Sequence, residues 1–154
     1  MNIYKYLVDL NISFQEQVHE AVYTVAEAKA ANITLPGIGC KNLFLKDKHK
    51  NYYLVVLEEN KKANLKKLET LLNTKNLRFA SAEELYEYLK LEPGSVTPLG
   101  IINDLNKKVL VIIDQDLKMQ NILVHPCTNT KTICLNYTDL IKIIEYTNHK
   151  YILM

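Results

Sequence analysis

The sequence predicts a mixed α/β domain, and three observations carry that reading. Its 154 residues are 48% apolar and 23% charged, the balance of an ordinary globular chain rather than a disordered or membrane-embedded one. β-Branched and aromatic runs such as Tyr52 to Leu57 and Val109 to Ile113 alternate with helical periodicities that begin at capping residues. No internal repeat or low-complexity linker divides the chain, so one domain over 1–154 is expected, long enough to bury about two thirds of its unfolded surface.

Taken in order, Ile3, Tyr6, Leu7 and Leu10 share one face of a short opening helix. Ile12, Phe14, Glu16 and Val18 alternate with polar residues as a strand does. Thr24 and Glu27 have capping-box spacing and start a helix through about Ala31. Leu43 and Leu45 alternate with Phe44 and Lys46 in a strand that has Lys41 and Asn42 at its mouth. The polar segment Lys48 to Asn51 turns it into a hairpin with Tyr52 to Leu57. Asn64 caps a helix carrying Leu65, Leu68, Leu71 and Leu72. Leu77 to Phe79 is a short strand, and Ser81 with Glu84 forms a second capping box ahead of Leu85, Tyr88 and Leu89. Val109 to Ile113, Ile122 to Val124 and Thr132 to Leu135 are core strands. Asn136 and Asp139 cap a last helix whose Leu140, Ile143, Ile144 and Tyr146 face inward, and Tyr151 to Leu153 close the sheet.

Composition excludes several functions. No apolar run approaches the ~20 residues of a membrane span, and the amino terminus lacks a cleavable leader pattern, so a cytoplasmic protein without membrane attachment is expected. Cys40, Cys127 and Cys134 are odd in number and have no CxxC spacing, which argues against a disulfide framework and a zinc site. A net charge of +2 does not announce a polyanion partner, although Lys61, Lys62, Lys66 and Lys67 cluster beside Lys46, Lys48 and Lys50.

Two irregular stretches stand out. In LPGIGCKNLFLKD, from Leu35 to Asp47, Gly37 and Gly39 permit a sharp turn or a close backbone approach to a ligand, and Lys41 with Asn42 suits an anionic, hydrogen-bonding group such as a phosphate. In LEPGSVTPLGIINDL, Pro93, Gly94, Pro98 and Gly100 oppose regular structure, and Gly94, Ser95, Val96, Thr97 and Pro98 can present backbone N–H groups to a ligand or form a plain tight turn. Of four histidines, only His125 ends a core strand, where a structural role and a catalytic one are both open. No Ser-His-Asp set, carboxylate pair, metal spacing or phosphate-loop motif emerges from spacing.

The order of these stretches adds a further reading. LPGIGCKNLFLKD, then YLVVL, LRFASAEELYEYL, PGSVTPLGIIND and HPCTNTKT, resembles the bacterial prolyl-tRNA editing family, also called YbaK or the prolyl-tRNA synthetase associated domain. Within it the chain is most similar to the free-standing, PrdX-like alanyl-tRNA(Pro) deacylases, over about Thr24 to His149. The resemblance implies an α+β fold in which helices flank a curved, mixed, barrel-like β-sheet. It implies an aminoacyl-tRNA hydrolase that needs no metal or cofactor, acts on the acceptor end of mischarged tRNA(Pro), and has prolyl-tRNA synthetase as a further candidate partner; a monomer is expected, although the sequence does not fix the oligomeric state. Lys41 matches the lysine that holds the phosphate of the terminal adenosine, accompanied by Asn42. Gly94 to Pro98 matches the loop that cradles the ester, and His125 matches the histidine at the amino-acid end. The implied catalytic set is therefore Lys41, Gly94 and His125, with Asn42, Ser95, Val96, Thr97 and Pro98 binding substrate. Leu99 stands where many relatives have Phe, a change expected to alter pocket shape, and Asn148 stands where Gly usually precedes His149. A deacylase for serine or cysteine and a non-catalytic tRNA-binding module are the alternatives.

Overall fold

A computed structural model of the chain describes residues 2–154, with all side chains of the second helix except those of Val25, Ala28 and Lys29. Helix α1 (Ile3–Asp9) is capped by Asn2, whose side chain accepts from the Tyr4 N–H, and it buries Ile3 and Leu7. Strand β1 (Gln15–Val18) is shorter than the alternation suggests, because Ile12 packs into the core directly after the helix. Helix α2 (Val25–Ala30) starts where Thr24 accepts from the Glu27 N–H at 3.0 Å.

Strand β2 (Ile38–Lys46) pairs antiparallel with β3 (Tyr52–Glu58) in a register that sets Lys41 opposite Leu57 and Asn42 opposite Val56. Helix α3 (Leu65–Leu72), capped by Asn64, leads to β4 (Arg78–Phe79), which also pairs with β2. The Ser81–Glu84 capping box opens α4 (Ala82–Leu89) as expected. The stretch after it is more regular than its prolines and glycines suggest. Pro98–Asn103 is a 3₁₀ helix, and Pro98 is tolerated at its first turn because that position needs no N–H.

The remaining elements are β5 (Val109–Ile113), β6 (Asn121–Val124), β7 (Lys131–Asn136), α5 (Tyr137–Tyr146) and β8 (Tyr151–Leu153). Asn136 caps α5, and Asp139 sits in its first turn 3.6 Å from Lys142. Tyr146 does not face inward: it is exposed and meets the Tyr6 ring edge-on. The eight strands form one open, mixed sheet in the order β1-β7-β6-β2-β3-β5-β8, with β4 on the flank of β2. Its larger core lies between the sheet and α1, α4, α5 and the 3₁₀ helix. A smaller one, around Leu45, Val55 and Ile112, lies under α3. Two ladders meet along β2, and the join is short: parallel pairing of Ile38 with Ile122 and Gly39 with Leu123 is all that links β2 to β6.

Candidate functional site

The site lies across that join. Lys41 and Asn42 are inside β2 rather than at its mouth, because the strand already begins at Ile38. Alternation sends them to opposite faces. Asn42 shares a face with Phe44, and its Nδ2 donates to the Val96 carbonyl at 3.3 Å, which ties β2 to the 93–97 loop. Its Oδ1 is buried and has no hydrogen-bond donor among the described residues. The Lys41 ammonium donates to the Lys61 carbonyl. Lys61 is itself fixed by ion pairs from its Nζ to Asp114 at 2.7 Å and Asp116 at 2.6 Å. Burial opposes ionisation of Asp114, but Lys61 and the Glu58 and Asp116 N–H groups outweigh it and hold the carboxyl below its usual range.

Gly39 is not a turn. It lies within β2, and glycine is used there because the Glu59 carboxylate occupies the space of a side chain: a Cβ at Gly39 would come 2.1 Å from Glu59 Oε2. Glu59 directly follows β3, and its N–H donates to the Gly39 carbonyl at 3.0 Å. Gly94, by contrast, needs its conformational freedom. Its φ of +90° is one that side chains rarely adopt, and a Cβ would meet the Tyr23 ring at 2.6 Å. In the same loop the Ser95 N–H is committed to the Glu92 carbonyl, whereas the N–H groups of Gly94 and Val96 have no intramolecular acceptor among the described residues.

His125 follows β6 and comes from the other ladder. Its Nδ1 donates to the Lys131 carbonyl at 3.0 Å, so Nε2 is left as a hydrogen-bond acceptor. Burial pushes its pKa down, and nearby His19 adds to the effect, so the ring is neutral at physiological pH. His19 is itself held by its neighbours: Nδ1 donates to the Glu20 carbonyl and Nε2 accepts from Thr132. The Cys40 thiol is pushed up to about 12 by burial and by the charges of Glu59, Asp114 and Glu58, which rules it out as a thiolate nucleophile.

These groups line a cleft of two lobes that share Cys40, Asn42, Glu59 and His125. One lobe, about 320 Å³, is walled mainly by apolar residues, among them Ile33, Leu35 and Leu123. The other, about 200 Å³, holds Lys41, Gly94, Val96 and Tyr23. Of the residues expected from sequence, Lys41, Asn42, Gly94, Val96 and His125 therefore meet. Ser95, Thr97 and Pro98 line neither lobe. They are buried, and Thr97 caps the 3₁₀ helix by accepting from the Leu99 N–H at 3.3 Å. Leu99 is wholly buried and also lines neither lobe, so exchanging it for Phe acts on the core before it acts on the pocket. Sequence reasoning missed Glu59 and Tyr23, which sit at a strand end and ahead of a helix with no motif of their own. Among the described residues no three His, Cys, Asp or Glu side chains converge as a metal ion requires.

A family model described as an aminoacyl-tRNA editing domain matches residues 19–143. The chain belongs to the aminoacyl-tRNA editing domain family. This editing domain is 37% identical over 147 residues to the prolyl-tRNA editing protein ProX of Acetoanaerobium sticklandii, covering 94% of this chain and 90% of that one. It is 33% identical over 153 residues to the prolyl-tRNA synthetase associated domain-containing protein 1 of Danio rerio, covering 97% and 83%. Two solved structures share the fold of the editing domain. One is of a hypothetical protein, with a TM-score of 0.75 at 18% identity over 97% of this chain and 96% of the other. The second is of a candidate trans-editing enzyme for prolyl tRNA synthetase, with a TM-score of 0.69 at 21% identity over 90% and 83%.

Proposed function

We propose that the chain is a trans-editing aminoacyl-tRNA deacylase that hydrolyses the ester of mischarged tRNA(Pro), with alanyl-tRNA(Pro) as its main substrate. The observation that carries this reading is one cleft lined by Lys41, by Gly94 and Val96 with their free N–H groups, and by a lobe walled mainly by apolar residues. Kinship with a prolyl-tRNA editing protein supports the choice of tRNA. An aminoacyl ester is already activated, so positioning and oxyanion stabilisation can supply most of the rate without a nucleophilic side chain. Lys41 exchanges the Lys61 carbonyl for the phosphate of the terminal adenosine. The Gly94 and Val96 N–H groups then receive the charge that develops on the carbonyl oxygen as water attacks, helped by the neighbouring ribose hydroxyl. His125 Nε2 orients the amino-acid end, and the apolar lobe receives its side chain.

The selection logic follows from energetics. A synthetase pocket built for proline rejects alanine by only about 1 to 3 kcal/mol per missing methylene, so a second site that admits only the smaller residue is required. The chain acts on the acceptor end as a single-domain monomer in the cytoplasm, with prolyl-tRNA synthetase as a further candidate partner. Single-turnover hydrolysis of tRNA(Pro) charged with alanine, serine, cysteine or proline tests the reading. Alanine should be removed fastest and proline spared, and affinity should fall as salt rises because lysines meet phosphates. Tight binding with no hydrolysis above the buffer rate would instead make the chain a tRNA-binding module.

A further inference from the structure

We infer that Glu59 recognises the α-ammonium group of the aminoacyl ester, so that the site reads a free amine as well as a small side chain. The inference rests on the editing reading and concerns how the same cleft chooses among esters. Glu59 stands where the two lobes meet, beside Asn42 and His125. Its carboxylate is admitted there by Gly39, whose missing Cβ would lie 2.1 Å from Oε2 and 3.0 Å from Oε1.

Among the described residues that carboxylate has neither an ion-pair partner nor a hydrogen-bond donor, although cations and acids crowd the neighbourhood. Lys41 gives its ammonium to the Lys61 carbonyl, and Lys61 gives its own to Asp114 and Asp116. The adjacent Glu58 is occupied by the N–H and the Nδ2 of Asn60. Glu59 alone in this group faces the cleft uncompensated. One more acceptor belongs to a residue at the same junction, Nε2 of the neutral His125. A half-buried carboxylate that lines a cleft without a donor suits a ligand that brings the donor and a positive charge.

An ammonium brings three donors and a positive charge. One carbon from the ester carbonyl, the α-ammonium of an aminoacyl ester meets two acceptors, the anionic Glu59 carboxylate and His125 Nε2. An N-acylated ester has no such cation and only one N–H. The cleft should therefore discriminate against blocked esters, such as those carried by formylated or peptidyl tRNA.

The experiment compares single-turnover hydrolysis of alanyl-tRNA(Pro) and N-acetyl-alanyl-tRNA(Pro) by wild type and Glu59→Gln. Wild type should favour the free amine by about tenfold or more, the scale of a hydrogen bond to a charged group. Glu59→Gln should lose that preference through slower hydrolysis of the free-amine ester alone. Its melting temperature should hold, because the backbone bond from Glu59 to Gly39 remains. Equal rates on the two esters by wild type would overturn the inference while leaving the editing reading intact, as would a Glu59→Gln variant that slows both esters alike or neither. No hydrolysis of either ester by wild type would overturn the editing reading and the inference together.

Discussion

The two ends of β2 both bury polar side chains and treat them in opposite ways. At the carboxyl end, Asp47 is wholly buried and fully served: Oδ1 accepts from the His49 and Asn51 N–H groups, and Oδ2 from Asn51 Nδ2, Tyr53 and Thr74, all between 2.7 and 3.1 Å. Burial resists its ionisation, but those donors prevail and hold the carboxyl far below its usual range. At the amino end, Asn42 Oδ1 has no donor and Glu59 no cation among the described residues. A closed network fixes the hairpin, whereas the open one is, on the proposed reading, completed by the substrate. The same contrast disposes of a tempting misreading. Thr147, His149 and Asp104 are joined in series at 2.8 and 3.0 Å like a nucleophilic triad. They are buried, and the Thr147 hydroxyl is turned onto the Ile143 and Ile144 carbonyls, so the array ties the end of α5 to the approach to β5.

The comparison breaks most visibly at Asp47. Asp47→Ala strands the buried Tyr53 hydroxyl, at about 1 to 3 kcal/mol, and four part-buried donors that water partly serves, so a loss of about 3 kcal/mol, or roughly 10 °C in melting temperature, is expected. Deacylation by the folded fraction should be unchanged. The pH dependence has a definite sign. The folded pKa values of Asp47, Asp104, Asp114 and Glu84 are all depressed, Glu84 to about 2. Their contribution is complete above about pH 4, the ordinary carboxylate value, and drains away as pH falls through the folded values. Thermal melts between pH 6 and 2 should show this acid limb, and Asp47→Ala should flatten it.

At the open end, Lys41→Ala should slow deacylation about a hundredfold, because losing the phosphate anchor misplaces the ester. The melting temperature should barely move. Lys41→Arg should recover only part of the rate, since a planar fork does not replace a compact ammonium. A well-folded Lys41→Ala variant with the wild-type rate would remove Lys41 from the site. Gly94→Ala lies between the two classes. A non-glycine residue at a positive φ costs about 1 to 3 kcal/mol, and the Tyr23 ring must also move, so calorimetry should show lower stability and kinetics a slower step. The smallest effect is expected at His125. His125→Ala should reduce the rate about tenfold or relax amino-acid selectivity, the scale of one lost hydrogen bond, with tRNA affinity intact by filter binding. Unchanged rate and selectivity would make His125 structural.

Most of the fold was legible because capping residues and periodicity are local signals. Asn64, Ser81 with Glu84, and Asn136 start helices in the structure where they do in the sequence. Gly39 was only half legible, since a turn and a close approach look alike until Glu59 is seen against it. Ser95, Thr97 and Pro98 share a motif with Gly94, yet a motif does not say which of its members face a cavity. Glu59 and Tyr23 were invisible for a related reason. Each owes its place to contacts far away in sequence, with Gly39 and Gly94 respectively, and no local pattern encodes them.

The short join between β2 and β6 has a consequence for amide exchange. Two residue pairs link the ladder that carries His125 to the ladder that carries Lys41, Asn42 and Glu59, whereas seven pairs join β2 to β3. The larger core spans both ladders, but fewer backbone bonds cross this join than cross β2–β3, so the backbone there should open locally at a lower free energy than β3 or β5. Backbone amides around Ile38 and Ile122 should take up deuterium by sub-global opening, long before the β3 and β5 core yields. Occupancy of the cleft, which spans both sides, would slow that uptake without touching the global unfolding limit.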